Sequence, residues 1–133
     1  MGTIEHIVRA KEFEKKAKKK LVGWRFFNSK ESKHKQAAKL FHEAAHHYKL
    51  ARAWDKAGYT LGKLALCHLK TDSKEQAAEA FLDAAECHSK TCLAYLDKGA
   101  NLLCVTGSLD KAGVCYEEIA KLRSCSMEVF DNI

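Results

Sequence analysis

His42-Glu43-Ala44-Ala45-His46 has the H-E-x-x-H spacing of a zinc hydrolase. On a helix that spacing sets two imidazoles on one face, beside a glutamate able to activate metal-bound water. An internal repeat argues against that chemistry. Forty residues on, the equivalent positions are Leu82, Asp83, Ala84, Ala85 and Glu86. The alanines recur and the histidines do not, so the repeated element is a packing pattern. The glycine and histidine of the longer zinc motif would fall on Lys49 and Arg52. His46-His47, Cys67-His68 and Cys87-His88 are adjacent pairs. Neighbours on a helix point about 100° apart, so such pairs do not chelate together. There is no glycine-rich phosphate loop and no nucleophile elbow. The chain reads as a non-enzyme, with no catalytic, cofactor-binding or metal residues and no cofactor.

Charge and aromatic residues point instead to binding. The formal net charge is +6, and Lys15, Lys16, Lys18, Lys19 and Lys20 form one cluster. Such a cluster is either a solvated helix face or an attractor for acidic protein, anionic lipid or nucleic acid. Nucleic-acid binding would rest on charge alone, without a groove-reading element or base-stacking aromatics, and is not expected. Trp24, Phe26 and Phe27 crowd one short segment after Gly23. They either plug the end of a helical stack or form an exposed tip for a membrane or partner. Burying one large apolar side chain gives roughly 1.5–3 kcal/mol. A nearby lysine adds about 1 kcal/mol at an anionic surface. The sum supports weak, reversible membrane contact.

These residues need a helical scaffold. The 133 residues contain no proline and few glycines, a composition that favours helix. No stretch reaches the ~20 apolar residues of a membrane span. The opening residues do not resemble a signal peptide, and His6 stands where a myristoylation motif wants serine or threonine. The six cysteines form no C-x-x-C pair and read as reduced thiols of a cytosolic protein. Gln36-Ala37-Ala38-Lys39-Leu40-Phe41-His42-Glu43-Ala44-Ala45 lies over Gln76-Ala77-Ala78-Glu79-Ala80-Phe81-Leu82-Asp83-Ala84-Ala85. A weaker copy, from Lys111 to Glu118, follows 35 residues later. Such periods mark helical-hairpin repeats. The pattern predicts helices near 3–20, 33–49, 52–68, 73–90, 92–106 and 109–125. The fold class is therefore all-α, a tetratricopeptide-like stack of antiparallel helix hairpins forming a right-handed α-solenoid. One domain spans 1–133: a basic helix 3–20, an aromatic loop 21–32, hairpin repeats 33–125 and a frayed tail 126–133. Phe41, Phe81 and Tyr116 are expected in equivalent buried places.

Two stretches carry a resemblance. They are Tyr48-Lys49-Leu50-Ala51-Arg52-Ala53-Trp54-Asp55-Lys56-Ala57-Gly58 and the run from Ser73 to Ala84. With the basic first helix and the Phe-Phe loop, they resemble the N-terminal half of soluble NSF attachment proteins, nearer the alpha type, over about residues 8–122. The resemblance implies a curved helical sheet without catalysis of its own. It implies a cytoplasmic adaptor, peripheral on membranes, that wraps the four-helix SNARE bundle (syntaxin-like SNAREs included) for disassembly by the ATPase NSF in vesicle fusion. Trp24, Phe26 and Phe27 are similar to the family's membrane-touching loop. Arg52 and Lys90 lie where the family sets basic residues against the acidic bundle. Other basic positions of the family fall on Ser108 and Val114, the aromatic loop is shorter, and four residues are missing between Lys90 and Asp97. The family's acidic, leucine-containing end, which engages NSF, has no counterpart here, so NSF recruitment by this chain alone is not expected. The other reading is a generic tetratricopeptide-like scaffold with an unrelated partner.

Overall fold

Alanine and glycine in runs of helix formers decide how closely helices can approach. The computed structural model describes residues 2–22, 30–87 and 92–131, with only the backbone for Cys92 and for 123–131. Its elements are α1 (Thr3–Val22), α2 (Lys30–Leu50), α3 (Trp54–Lys70), α4 (Lys74–Cys87), α5 (Cys92–Val105) and α6 (Leu109–Asp131). Each helix packs on the next in the chain. No strand occurs among the described residues. The stack of antiparallel hairpins expected from the repeat is what forms.

The first helices of successive hairpins also meet. Lys63 on α3 reaches Glu14 on α1 at 3.2 Å. Tyr95 on α5 lies so close over α3 that a Cβ on Gly62 would stand 3.0 Å from its hydroxyl. Gly99 is tighter still, since its Cβ would fall 2.8 Å from Leu82 on α4. Most of the buried apolar residues are alanines, among them Ala37, Ala44, Ala77 and Ala84. Aromatic rings fill the space between the close helices. Phe41 packs with Ala17, Leu61, Leu64 and Ala65 in the largest core cluster. Phe81 stacks with Tyr95 at a centroid distance of 6.2 Å.

Tyr116 corrects the expected equivalence. Phe41 is 1% exposed and Phe81 3%, but Tyr116 is 41% exposed. The rings of α2 and α4 are covered by α3 and α5, the helices that follow them. Among the described residues no helix packs beyond α6. Ala112, Cys115 and Ile119 still face α5 and are buried. Tyr116 leans on the rim, its hydroxyl donating to Asn101 Oδ1 at 2.9 Å.

Three turns close in the same way. The N–H of Ala53 bonds to the carbonyl of Tyr48, that of Ser73 to His68, and that of Ser108 to Leu103. Each is a Schellman ending, with its pivot residue in the left-handed region. The pivots are Arg52 (φ 58), Asp72 (φ 56) and Gly107 (φ 83). Two helix bounds differ most from the sequence pattern. α2 starts at Lys30 rather than near 33, and α6 continues to Asp131, through the segment where fraying was expected. No glycine or proline occurs after Gly113 to stop it.

The same repeat position should therefore differ in energetic weight. Phe41→Ala is expected to cost ~3–5 kcal/mol, the range for a buried phenylalanine. Tyr116→Ala should cost about 1 kcal/mol, the value of one hydrogen bond. Urea unfolding at dilute protein measures both; equal losses would contradict the packing described.

Candidate partner-binding surface

Arg52 is an exposed residue on the turn between α2 and α3. A left-handed conformation costs a non-glycine residue roughly 1–2 kcal/mol. Asp72 belongs to a type that visits this region readily, and arginine does so less often. Ala53, beside Arg52, packs with Tyr48 and Ala57 and so anchors the turn. Arg52 rims a surface depression of about 680 Å³, shared with Trp54, Asp55, Lys56, Glu86 and Cys87. Trp54 is 49% exposed there. Two cations, two carboxylates and a half-exposed indole at one edge suit a mixed polar and apolar protein surface.

A second feature joins three helices. Tyr48 donates to Glu14 Oε2 at 2.7 Å. Lys63 and Lys18 each reach Glu14 Oε1 at 3.2 Å. Burial would raise the Glu14 pKa, but the hydrogen bonds from Tyr48, Lys63 and Lys18 outweigh it and hold the carboxyl below its ordinary value. The Tyr48 phenol is pushed up, first by burial and then by Glu14. This carboxylate fixes α1 against α2 and α3. Beside it, Lys11, Lys56 and Tyr59 line a groove of about 390 Å³. Lys63 Nζ lies 4.5 Å from the centre of the exposed Tyr59 ring. Sequence reasoning did not select Lys56, Tyr59 or Lys63. A signal was present, since Tyr59, Lys63, Leu66 and Lys70 recur at helical spacing on α3.

The histidines serve packing and titration. In the H-E-x-x-H segment, Ala44 and Ala45 are buried while His42, Glu43 and His46 face outward. Among the described residues no three histidine, cysteine or acidic side chains converge on a metal-sized site. His6 Nδ1 on α1 lies 3.0 Å from His47 Nδ1 on α2. Phe13 stacks on the His47 ring at 5.7 Å. The His47 pKa is lowered by burial, then by His6, His46 and Arg9, with Glu43 opposing. Burial, then His42, lowers His68, with Glu79 opposing. Cys67, Cys87, Cys104 and Cys115 are free thiols. Burial pushes Cys67 up to about 11, so it is inert packing.

Of the other residues singled out, Trp24, Phe26, Phe27 and Lys90 lie outside the described residues. Their flanking helices are described. Glu86 and Cys87, in the last turn before 88–91, share the depression with Arg52. The 23–29 segment joins the C-terminal end of α1 to the N-terminal end of α2. Arg52 follows the other end of α2, whose 21 residues span about 30 Å. Ser108 is half-buried at its turn and Val114 is 61% exposed on α6.

The fold and its exposed, charged edge define a helical-repeat interaction module. The family model described as "Soluble NSF attachment protein, SNAP" matches residues 8–132. The chain belongs to the soluble NSF attachment protein family, whose members are adaptors rather than enzymes. It is 42% identical over 122 residues to an alpha-soluble NSF attachment protein of Vitis vinifera, covering 89% of this chain and 41% of that relative. It is 28% identical over 106 residues to the vesicular-fusion protein SEC17 of Komagataella phaffii, covering 77% of this chain and 36% of that relative. A probable vesicular-fusion protein sec17 homolog of Schizosaccharomyces pombe is 40% identical over 53 residues. The chain thus spans well under half the length of these relatives.

Two tests follow from the geometry. Arg52→Gly should stabilise the fold by about 1 kcal/mol, because glycine carries no Cβ penalty at positive φ; thermal unfolding reads this directly. The second is a pH dependence. His47 and His68 have folded pKa values below the unfolded 6.5, so the unfolded chain takes up protons first as pH falls. Stability present above pH 6.5 should be lost as pH drops through that value towards the folded ones. The melting temperature should therefore fall between about pH 7.5 and about pH 5.5. His47→Gln should flatten that slope, and an unchanged slope would remove His47 as its source.

Proposed function

We propose that this chain is a SNAP-type adaptor module that binds the acidic four-helix SNARE bundle along its Arg52 edge, at membranes, on behalf of NSF-driven disassembly. The observation that carries the reading is Arg52 itself. It lies within the 122-residue alignment to the grape alpha-type protein and stands exposed on a left-handed turn at the edge of the stack. Arg52 and Lys56 share the edge with Asp55 and Glu86, and Lys90, in the connection after α4, adds a further cation of the sign an acidic helical rod requires. Charge of this kind contributes on-rate and register more than affinity. Trp24, Phe26 and Phe27 are assigned to weak membrane contact. Their connection leaves the opposite edge of the stack from Arg52, so one adaptor engages lipid and bundle at separate ends. The longer relatives supply further helices, and stable NSF recruitment is assigned to such additional chain. The working location is the cytoplasmic face of a membrane, held peripherally.

The test compares binding to an assembled four-helix SNARE bundle with binding to its single helices. Wild-type protein should prefer the bundle, and its affinity should fall with added salt, which screens exposed charges over ~8–10 Å. Arg52→Glu or Lys90→Glu alone should weaken binding only slightly, because an exposed pair contributes ~0–1 kcal/mol. The double reversal should weaken it clearly. Unchanged binding by the double variant at low salt would leave an unrelated partner as the better reading. Replacing Trp24, Phe26 and Phe27 with serine should lower association with anionic liposomes while the melting temperature holds.

A further inference from the structure

His6 on α1 and His47 on α2 lie 41 residues apart in the chain, yet their Nδ1 atoms stand 3.0 Å from each other. The packing of α1 on α2 makes this pair. The His47 ring is braced by neighbours. Phe13 stacks on it with 5.7 Å between ring centres, and His46 meets it edge-on at 5.6 Å. His6 and His47 are both half-buried, so a hydrated ion can reach them from solvent.

Two imidazole nitrogens cannot face each other at this distance with both lone pairs bare. In the hydrogen-bonded pair one Nδ1 carries a proton and the other accepts it. A metal ion can take the place of that proton. A bond from zinc to an imidazole nitrogen is about 2.0–2.1 Å long, and other late divalent ions are of similar size. Two such bonds to nitrogens 3.0 Å apart enclose an angle of roughly 90–100°. That is the cis angle of the square-planar and tetragonal sites that Ni²⁺ and Cu²⁺ favour. The tetrahedral angle of zinc, about 109°, is wider. The ring planes are inclined at 33°, and a small rotation of each ring about its Cβ–Cγ bond turns both lone pairs towards one point. Two charges act on His47 in opposite senses, with Arg9 opposing a cation and Glu43 favouring one. No three histidine, cysteine or acidic side chains converge among the described residues, so water fills the other coordination positions.

We infer that His6 Nδ1 and His47 Nδ1 form a two-histidine site for a late divalent transition-metal ion of the Ni²⁺ or Cu²⁺ kind, which clips α1 to α2. Binding exchanges two waters of the hydrated ion for two neutral imidazoles, each keeping its proton at Nε2. No covalent bond of the chain breaks and no electron is transferred. The site is distinct from His42 and His46, which share one helix and face outward. A clip between helices couples metal binding to the docking of α1, whereas a pair within α2 does not.

Ni²⁺ is the probe, because Cu²⁺ would oxidise the thiols. Calorimetric titration of the 133-residue chain with NiCl₂ at about pH 7.5, where both imidazoles are free to ligate, should give one site. The expected Kd is on the order of 10 µM. His6→Gln and His47→Gln should each weaken binding at least tenfold, and His42→Gln should bind as the wild type does. Circular dichroism checks that each variant is folded; His6 is half-buried near the start of α1, so His6→Gln keeps the test valid if His47→Gln does not fold. Saturating Ni²⁺ should also slow amide exchange in the first half of α1, a readout that a pair within α2 would not move. Saturation only at millimolar Ni²⁺ marks an adventitious ion only and overturns the proposal. Binding that ignores His6→Gln assigns the ion to thiols or to other histidines, and loss of binding in His42→Gln assigns it to the pair on α2. Either result overturns the proposal as well.

Discussion

The structure depends on the close approach of helices across alanine and glycine. A leucine in place of Ala44 or Ala84 would push neighbouring helices apart and leave the aromatic rings without walls. With small residues in those places, one ring per hairpin fills the remaining wedge. Interiors pack near the density of organic crystals, so this small-and-large alternation is what sets the spacing of the stack. Gly62 and Gly99 mark its limit, because Tyr95 and Leu82 already occupy the space a Cβ would need. The same rule accounts for Tyr116, whose ring has one wall where Phe41 and Phe81 have two.

Polar contacts then fix orientation within that spacing. Glu14 collects Tyr48, Lys63 and Lys18, so α1 cannot slide along α2 and α3 without stranding a partly buried carboxylate. His6 and His47 tie the other end of α1 to α2. A stiff stack holds its edges at set distances. The turn at Arg52 and the connection after α1 leave opposite ends of α2.

Much of the fold was legible in the chain. The 40-residue repeat placed Phe41 and Phe81 in equivalent buried sites, because a repeated apolar pattern requires a repeated environment. The H-E-x-x-H segment could be set aside for the same reason, since its alanines and acid recur and its histidines do not. Less of the binding surface could be read. Arg52 was selected through family resemblance, and nothing in Leu50-Ala51-Arg52-Ala53 signals a left-handed pivot, because glycine, the usual marker, is absent. Lys63 and Tyr59 were missed because their significance depends on Glu14, which lies 49 residues before Lys63 in the chain.

By itself, the sequence determined what is local or periodic: helix without proline, hairpins from the repeat, alanine faces, and membership of the family. Tertiary structure decided what depends on neighbours distant in the chain. Helix propensity acts within a few residues, whereas burial depends on which helix comes next in space. Tyr116 keeps the aromatic position of its repeat and is still half in solvent, because the wall that would cover it is another helix and not a property of its own segment.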